Sequence, residues 1–333
     1  MNALIKAISY YLPEKILTNT DLSKEFPEWS VEKVANKIGI SERHICAPDE
    51  FSSDMAIKSG ERLFSDYKID RSTIDFIMLC TQSPDYFLPT TACIVQDRLG
   101  LPTNIGAFDF NLGCSGYIYG LAMAKSLIVS GIAKNILLFT SESYTKFIHD
   151  GDKGNRSIFG DAASATLIST EGFARIDHFD LGTDGRGSEN LIVRNGGLRN
   201  RKTGDPGTSD EFGNIISSDH LYMNGGEIFN FTLDAVPGLM ANVLIKNKLE
   251  KEDIDLFVFH QANRYMLNHL RKKLLIDEDR FYYFIDKVGN TVSSTIPIAL
   301  FEAMKENRIH EGSNVLLAGF GVGYSWGGAV LKF

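Results

Sequence analysis

Three side chains in this sequence are suited to covalent chemistry: Cys114, His260 and Asn290. A thiolate is a strong nucleophile, an imidazole moves or donates a proton, and an amide donates hydrogen bonds to a developing negative oxygen. In AFDFNLGCSGYIYGLAMA the strand signal ends at Phe110, Gly113 and Gly116 flank the cysteine, and an apolar helix follows at once. The glycines permit a sharp turn that lifts the thiol into a cleft, and the helix N-terminus favours the reactive thiolate. A buried core cysteine is the other reading of this local pattern. His260 closes the LFVFH of LFVFHQAN, where an apolar run delivers it to a strand end, the place where α/β sheets hold their ligands. A structural histidine is the alternative there. Asn290, in KVGNTVSSTIP, sits at a glycine-assisted turn before another apolar helix.

Those residues have to be brought together by the elements around them. Short β-rich runs (74–80, 107–110, 135–141, 165–169, 256–260, 314–320 and 329–333) alternate with helical stretches, which points to α/β architecture. The stretch 116–131 is apolar all round and needs a layer on every side. The two halves also repeat. Asp75 opens a run ending in TQS as Asp255 opens one ending in HQAN, the Cys114 segment followed by NILLFTS matches the Asn290 segment followed by NVLLAGF, and FGDAASATLI matches FGVGYSWGGAVL. Three pairs in one order predict a duplication, with residues 1–175 and 176–333 related by a pseudo-twofold axis. That axis brings Cys114 and Asn290, which are equivalent in the repeat, towards one pocket with His260 beside them. The polar, glycine-rich segment 181–214 has no counterpart and reads as a surface excursion.

Composition narrows the function classes. Lys and Arg number 34 against 42 Asp and Glu, a net charge of -8, so nothing suggests a nucleic-acid partner. No apolar run reaches the ~18 uninterrupted residues of a membrane span, and the N-terminus lacks a signal-peptide pattern. The cysteines at 46, 80, 93 and 114 have neither metal-binding nor disulfide-framework spacing. A cytoplasmic protein without a metal is expected. GFGVG (319–323) lacks dinucleotide-loop spacing, and HDGDKGN has Gly154 where a calcium loop needs an oxygen ligand.

GCSGYIYGL, HQAN and GNTVSSTIP, in that order and with the C-terminal FGVGYSWGGAVLKF, resemble the β-ketoacyl-acyl-carrier-protein synthase III family of thiolase-fold condensing enzymes. The resemblance runs from TNTDL and GISERH through FGDAASA to the last strand. It implies a five-layered α-β-α-β-α fold from two duplicated halves, a homodimer, and a triad of Cys114, His260 and Asn290. The implied reaction is that of a 3-oxoacyl-[acyl-carrier-protein] synthase III, a decarboxylative Claisen condensation in fatty acid or related lipid biosynthesis. Cys114 takes the acyl group of a thioester starter, malonyl-acyl carrier protein loses CO₂, and the enolate attacks the acyl-Cys114 carbonyl. The backbone N–H groups of Cys114 and Val322 are the implied oxyanion hole, and His260 Nε2–H with the Asn290 amide the implied donors to the enolate.

The resemblance also gives Lys272 and Lys273 the docking of the acidic carrier protein, although a solvated helix face is the simpler reading of Arg271–Lys273. Met223, Gly225 and Asn263 are implied beside the pantetheine tunnel, and Phe87 and Leu88 as a lid over the acyl pocket. No cofactor is implied as permanently bound, since coenzyme A or phosphopantetheine thioesters arrive as substrates. Lys33 and Lys153 stand where better-known members stack adenine between Trp and Arg, and Trp29 falls some residues early. Lys offers a point charge and no plane, so the coenzyme A platform is expected to be missing. Three alternatives compete: a thiolase-fold acyltransferase of secondary metabolism or glycan assembly with an oxygen or nitrogen acceptor, a catalytically silent dimer subunit, and, remotely, a cysteine hydrolase. A papain-like hydrolase carries its nucleophile near the mature N-terminus of a secreted, disulfide-bonded chain, unlike this one.

Overall fold

The computed structural model describes residues 2–333 apart from the side chains of Lys33, Val34, Asn36 and Lys37. Its main strands are β1 (Leu4–Tyr11), β2 (Phe76–Cys80), β3 (Gly106–Phe110), β4 (Asn135–Glu142), β5 (Ala162–Ser169), β6 (Ala174–Thr183), β7 (Leu256–Phe259), β8 (Asn314–Gly321) and β9 (Ser325–Lys332). They join in the order β7-β8-β9-β6-β1-β5-β4-β2-β3. In the first set β2 runs parallel to β3 and β4, then β4, β5 and β1 alternate in direction. In the second β7 runs parallel to β8, then β8, β9 and β6 alternate. The repeat seen in the sequence is thus a repeat of sheet topology. The sets meet where Leu4 and Ile5 pair with Arg175 and Ala174, and β6 spans the 175/176 division drawn from the sequence. Among the described residues the second set has no strand equivalent to β3; a single parallel bridge, Phe257 to Phe281, stands in its place.

Six helices layer these sets: α1 (Ser52–Tyr67), α2 (Thr91–Arg98), α3 (Gly116–Val129), α4 (Gly225–Asn247), α5 (Arg264–Lys273) and α6 (Thr295–Lys305). Helices α3 and α6 lie between the sets, in one cluster with Ile5, Met78, Leu138, Val258 and Leu317. Helices α1 and α2 cover the outer face of the first set, and α4 and α5 that of the second. Ile118, Leu121 and Ile128 of α3 are fully buried between the sets, but Val129 is exposed and Ala122, Met123 and Leu127 are only partly covered, so one side of this apolar helix lacks the layer expected for it. Strands β4 and β5 are covered on both faces, so their apolar residues run on without alternation. Helix α4 is long and apolar enough to cross a membrane, which the run-length reading did not anticipate. Its Val236, Leu239, Val243 and Leu244 are instead packed on the second set.

Candidate active site

Strand ends converge from both sets. Cys114, His260 and Asn290 line one cavity of about 120 Å³, with Tyr144, Phe159, Leu191 and Phe320 among its other walls. Cys114 lies one residue before the first cap of α3, in the turn closed by Gly116 N–H donating to Gly113 O at 2.8 Å. Gly319 and Gly321 are two apart on β8 and so share a face. A Cβ on Gly319 would meet Cys114 O at 2.8 Å, and one on Gly321 would meet Cys114 Sγ at 3.0 Å. Strand β8 can lie against the nucleophile turn because both residues lack side chains. Among the described residues, neither Cys114 N–H nor Val322 N–H donates to a backbone carbonyl, and the Cys114 N–H meets only its own sulfur. These are the orphan donors an oxyanion would need.

The thiol differs from the sequence expectation. Burial, and then the nearby Glu142 carboxyl, push Cys114 up to about 12, although its own N–H pulls the other way. Desolvation outweighs the helix terminus, so the group at rest is a protonated thiol. His260 is 2% exposed and burial pulls it down to about 3, so the imidazole is neutral. Its backbone N–H donates to Ala318 O at 2.8 Å, which fixes it at the end of β7. Nδ1 lies 2.7 Å from Thr295 Oγ1, whose hydroxyl is also 3.0 Å from Val292 O. When that hydroxyl donates to Val292 O it accepts Nδ1–H, and Nε2 carries a lone pair. Turned to Nδ1, it leaves the proton on Nε2. One rotor therefore governs whether Nε2 accepts or donates.

Asn290 is held by its backbone: its N–H donates to Ile158 O at 2.9 Å, and its O accepts from Gly160 N–H at 3.0 Å. Val292 has φ of +55°, an uncommon conformation for a β-branched residue. In that turn its N–H donates to Asn290 Oδ1 at 2.9 Å. The amide oxygen being occupied, its NH₂ is the end left to donate elsewhere.

Of the pocket residues expected from the sequence, Met223, Gly225 and Asn263 line the same cavity. Asn263 also caps α5, accepting from Met266 N–H at 2.8 Å. Phe87 and Leu88 do not join them: they are 80% and 82% exposed, and Phe87 lines a neighbouring cleft of about 800 Å³. Tyr144 and Leu191 wall both spaces. Lys272 and Lys273 are exposed in the last turn of α5 and, among the described residues, form no ion pair, whereas Arg271 pairs with Glu278 at 3.4 Å. Lys153 is buried and pairs with Glu28 at 2.6 Å, and Trp29 packs against the cluster of Ile38, Ile40 and Ile285. The Lys33 side chain lies outside the described residues. Sequence reasoning missed Thr295 and Glu142. The first is five residues beyond Asn290 in the same motif; the second is the lone charge ending an otherwise uncharged buried strand.

Comparison with known proteins gives concordant results. Residues 108–185 match the family "3-Oxoacyl-[acyl-carrier-protein (ACP)] synthase III", and 244–333 match its C-terminal counterpart. The β-ketoacyl-[acyl-carrier-protein] synthase III of Clostridium perfringens is 36% identical over 333 residues, 99% of each chain. A crystal structure of a 3-oxoacyl-(acyl-carrier-protein) synthase III superposes with a TM-score of 0.98 at 46% identity, covering 100% of both chains. The Burkholderia xenovorans 3-oxoacyl-(acyl-carrier protein) synthase gives 0.91 at 36% identity, covering 99% of this chain and 94% of its own. With a duplicated thiolase-type sheet, a cysteine, histidine and asparagine in one cavity, and relatives matched end to end, the chain belongs to the 3-oxoacyl-[acyl-carrier-protein] synthase III family.

Proposed function

We propose that this cavity condenses an acyl thioester starter with malonyl-acyl carrier protein through an acyl group on Cys114. The observation that carries the reading is the convergence of a thiol, a neutral imidazole and an oxygen-anchored amide on one buried cavity. In the first half-reaction Sγ attacks the starter carbonyl, and the thiol proton passes to His260 Nε2 and on to the departing thiolate. The Cys114 and Val322 N–H groups receive the oxyanion. In the second, malonyl carboxylate leaves as CO₂, and the enolate oxygen accepts from the Asn290 NH₂ and from Nε2–H once the Thr295 hydroxyl has turned to Nδ1. The enolate carbon then bonds to the acyl carbonyl, the Cys114 C–S bond breaks, and the sulfur takes up a proton. Neutral donors suit this step, because an acidic proton would quench the carbanion before it attacks. The chemistry calls for no resident cofactor; coenzyme A or phosphopantetheine comes and goes with each substrate. Free cysteines throughout the described residues support a reducing, cytoplasmic setting.

Incubation with acyl-coenzyme A or acyl-carrier thioesters is expected to add one acyl mass, found on the peptide containing Cys114. Cys114→Ala is expected to lose condensation and retain some malonyl decarboxylation. Acylation of the exposed Cys93 with Cys114 untouched would overturn the reading.

The malonyl donor docks, on this reading, at Lys272 and Lys273, a free positive pair on an acidic protein. Reversing both charges is expected to raise the KM for malonyl-carrier about tenfold, two rim charges at ~0.5–1 kcal/mol each giving that factor. The effect is expected to fade towards ~1 M salt, where the Debye length is ~3 Å. A malonyl-pantetheine thioester, which never reaches the patch, is expected to be unaffected; equal loss with both substrates would assign the lysines to folding or to the tunnel.

The working unit is proposed to be a homodimer. Strand β3 ends the sheet and is paired on one side only among the described residues, and Tyr86, Phe87 and Leu88 present exposed apolar surface on the same half. A second copy would cover both.

A further inference from the structure

Beneath the reacting groups lies a carboxyl that the mechanism above leaves unused. Glu142, at the end of β4, is completely buried. Its Oε1 accepts from Ser293 Oγ at 2.9 Å, and its Oε2 accepts from Gln82 N–H at 3.1 Å and from Ser83 Oγ at 3.2 Å. Gln82 and Ser83 follow β2 in the first half. Ser293 comes three residues after Asn290 in the second, so one carboxyl ties the Asn290 turn to the corner of the opposite half. The titratable groups facing it are the Cys114 thiol at the start of α3, the Cys80 thiol ending β2, the Tyr144 phenol, and Asp161 at the edge of β5. All four are acids. Asp161 is itself held by Thr145 and by the Cys46 N–H.

We propose that Glu142 is a positioning residue of the condensation, which clamps the Asn290 turn through Ser293 and is protonated when Cys114 reacts. This rests on Cys114 being the nucleophile. Acids that share a dry site cannot all ionise, so negative charge on the carboxyl opposes negative charge on Sγ, on the tetrahedral intermediate and on the enolate. The hydrogen-bond pattern accommodates the neutral form: Oε1–H can donate to Ser293 Oγ while the Gln82 N–H still donates to Oε2. Burial pushes the group up to about 8, against the three donors that favour its anion. The carboxyl is then neutral through mildly acidic and neutral pH, and ionises in the range where a thiol would otherwise become more reactive.

The test is the pH profile of iodoacetamide alkylation from pH 6 to 10, with the label mapped by mass spectrometry, in the full chain and in Glu142→Gln. The variant keeps the shape and cannot ionise. The ratio of variant to wild-type alkylation rate is expected to rise about tenfold between pH 7 and pH 9.5, the size of a one-unit change in thiol pKa. A ratio that stays flat or falls across that range would overturn the charge assignment. Ser293→Ala separately tests the clamp: malonyl-pantetheine decarboxylation is expected to fall about tenfold while alkylation at pH 7 holds, and equal change in both would overturn it. Label on the exposed Cys93 is expected in both proteins; loss of condensation with Cys114 unlabelled would instead overturn the nucleophile assignment on which the proposal stands, a failure distinguishable from the other two.

Discussion

In the proposed mechanism His260 and Asn290 donate to the same developing charge from different anchors, one held by a threonine hydroxyl and one by a strained turn. Removing either with His260→Ala or Asn290→Ala is expected to slow malonyl decarboxylation by ~10²–10³, the usual cost of one oxyanion donor. Acyl transfer to Cys114 is expected to suffer less in Asn290→Ala than in His260→Ala, since only the imidazole moves the thiol proton. The two half-reactions, followed separately as ¹⁴CO₂ release and as acyl-enzyme mass, give the ratio. Equal losses in both steps for both variants would mean that the pair holds the fold and does not divide the chemistry. At this scale the sequence was informative about identity and silent about state. Cys114 could be picked out from its flanking glycines and the helix behind it. That its thiol is protonated depends on a desolvation set by both halves and, once it ionises, on the charge of Glu142, 28 positions away in the chain.

Among the elements, β8 lies close against the Cys114 turn. A methyl group at Gly321 would lie 2.9 Å from Cys114 Cβ and 3.0 Å from Sγ, close enough that the strand or the turn must shift. Gly321→Ala is therefore expected to lower acylation by ~10²-fold, in line with the cost of a misplacement of about 1 Å at a reacting centre. Thermal unfolding is expected to change little, because the site is open to the cavity on one side. Unaltered acylation would show that the turn yields freely and that β8 does not set the position of the thiol. The strands and their duplicated order were readable from period and repeat, since β2, β4, β7 and β8 are apolar runs that only a covered sheet accommodates. The missing counterpart of β3 was not readable. Residues 281–284, FYYF, carry as strong a strand signal as GAFDF, yet they make one bridge where β3 makes a full ladder. Pairing partners, more than local preference, decide such a case.

For the molecule as a whole, the exposed Phe87 and Leu88 are the expectation that one chain does not fulfil. They lie on the surface of the single copy, outside the Cys114 cavity, and a second copy seated on them would cover them. Size-exclusion chromatography with light scattering is expected to give twice the chain mass. Phe87→Glu with Leu88→Glu is expected to weaken the dimer by at least tenfold, because a buried large apolar side chain contributes ~1.5–3 kcal/mol. A variant dimer as tight as the wild type would place these residues away from the interface.

The uneven duplication has a consequence for assembly. Strand β3 leaves one border of the sheet open, whereas at the opposite border the Tyr282 N–H donates to Phe257 O at 3.0 Å and occupies the outer side of β7. Had both copies of the ancestral unit kept their third strand, the sheet would offer a template at each end, and head-to-tail addition could continue into a filament. With one border already partly occupied, the proposed dimer, if its chains meet edge to edge about a twofold axis, would consume the remaining template, and growth would terminate at two.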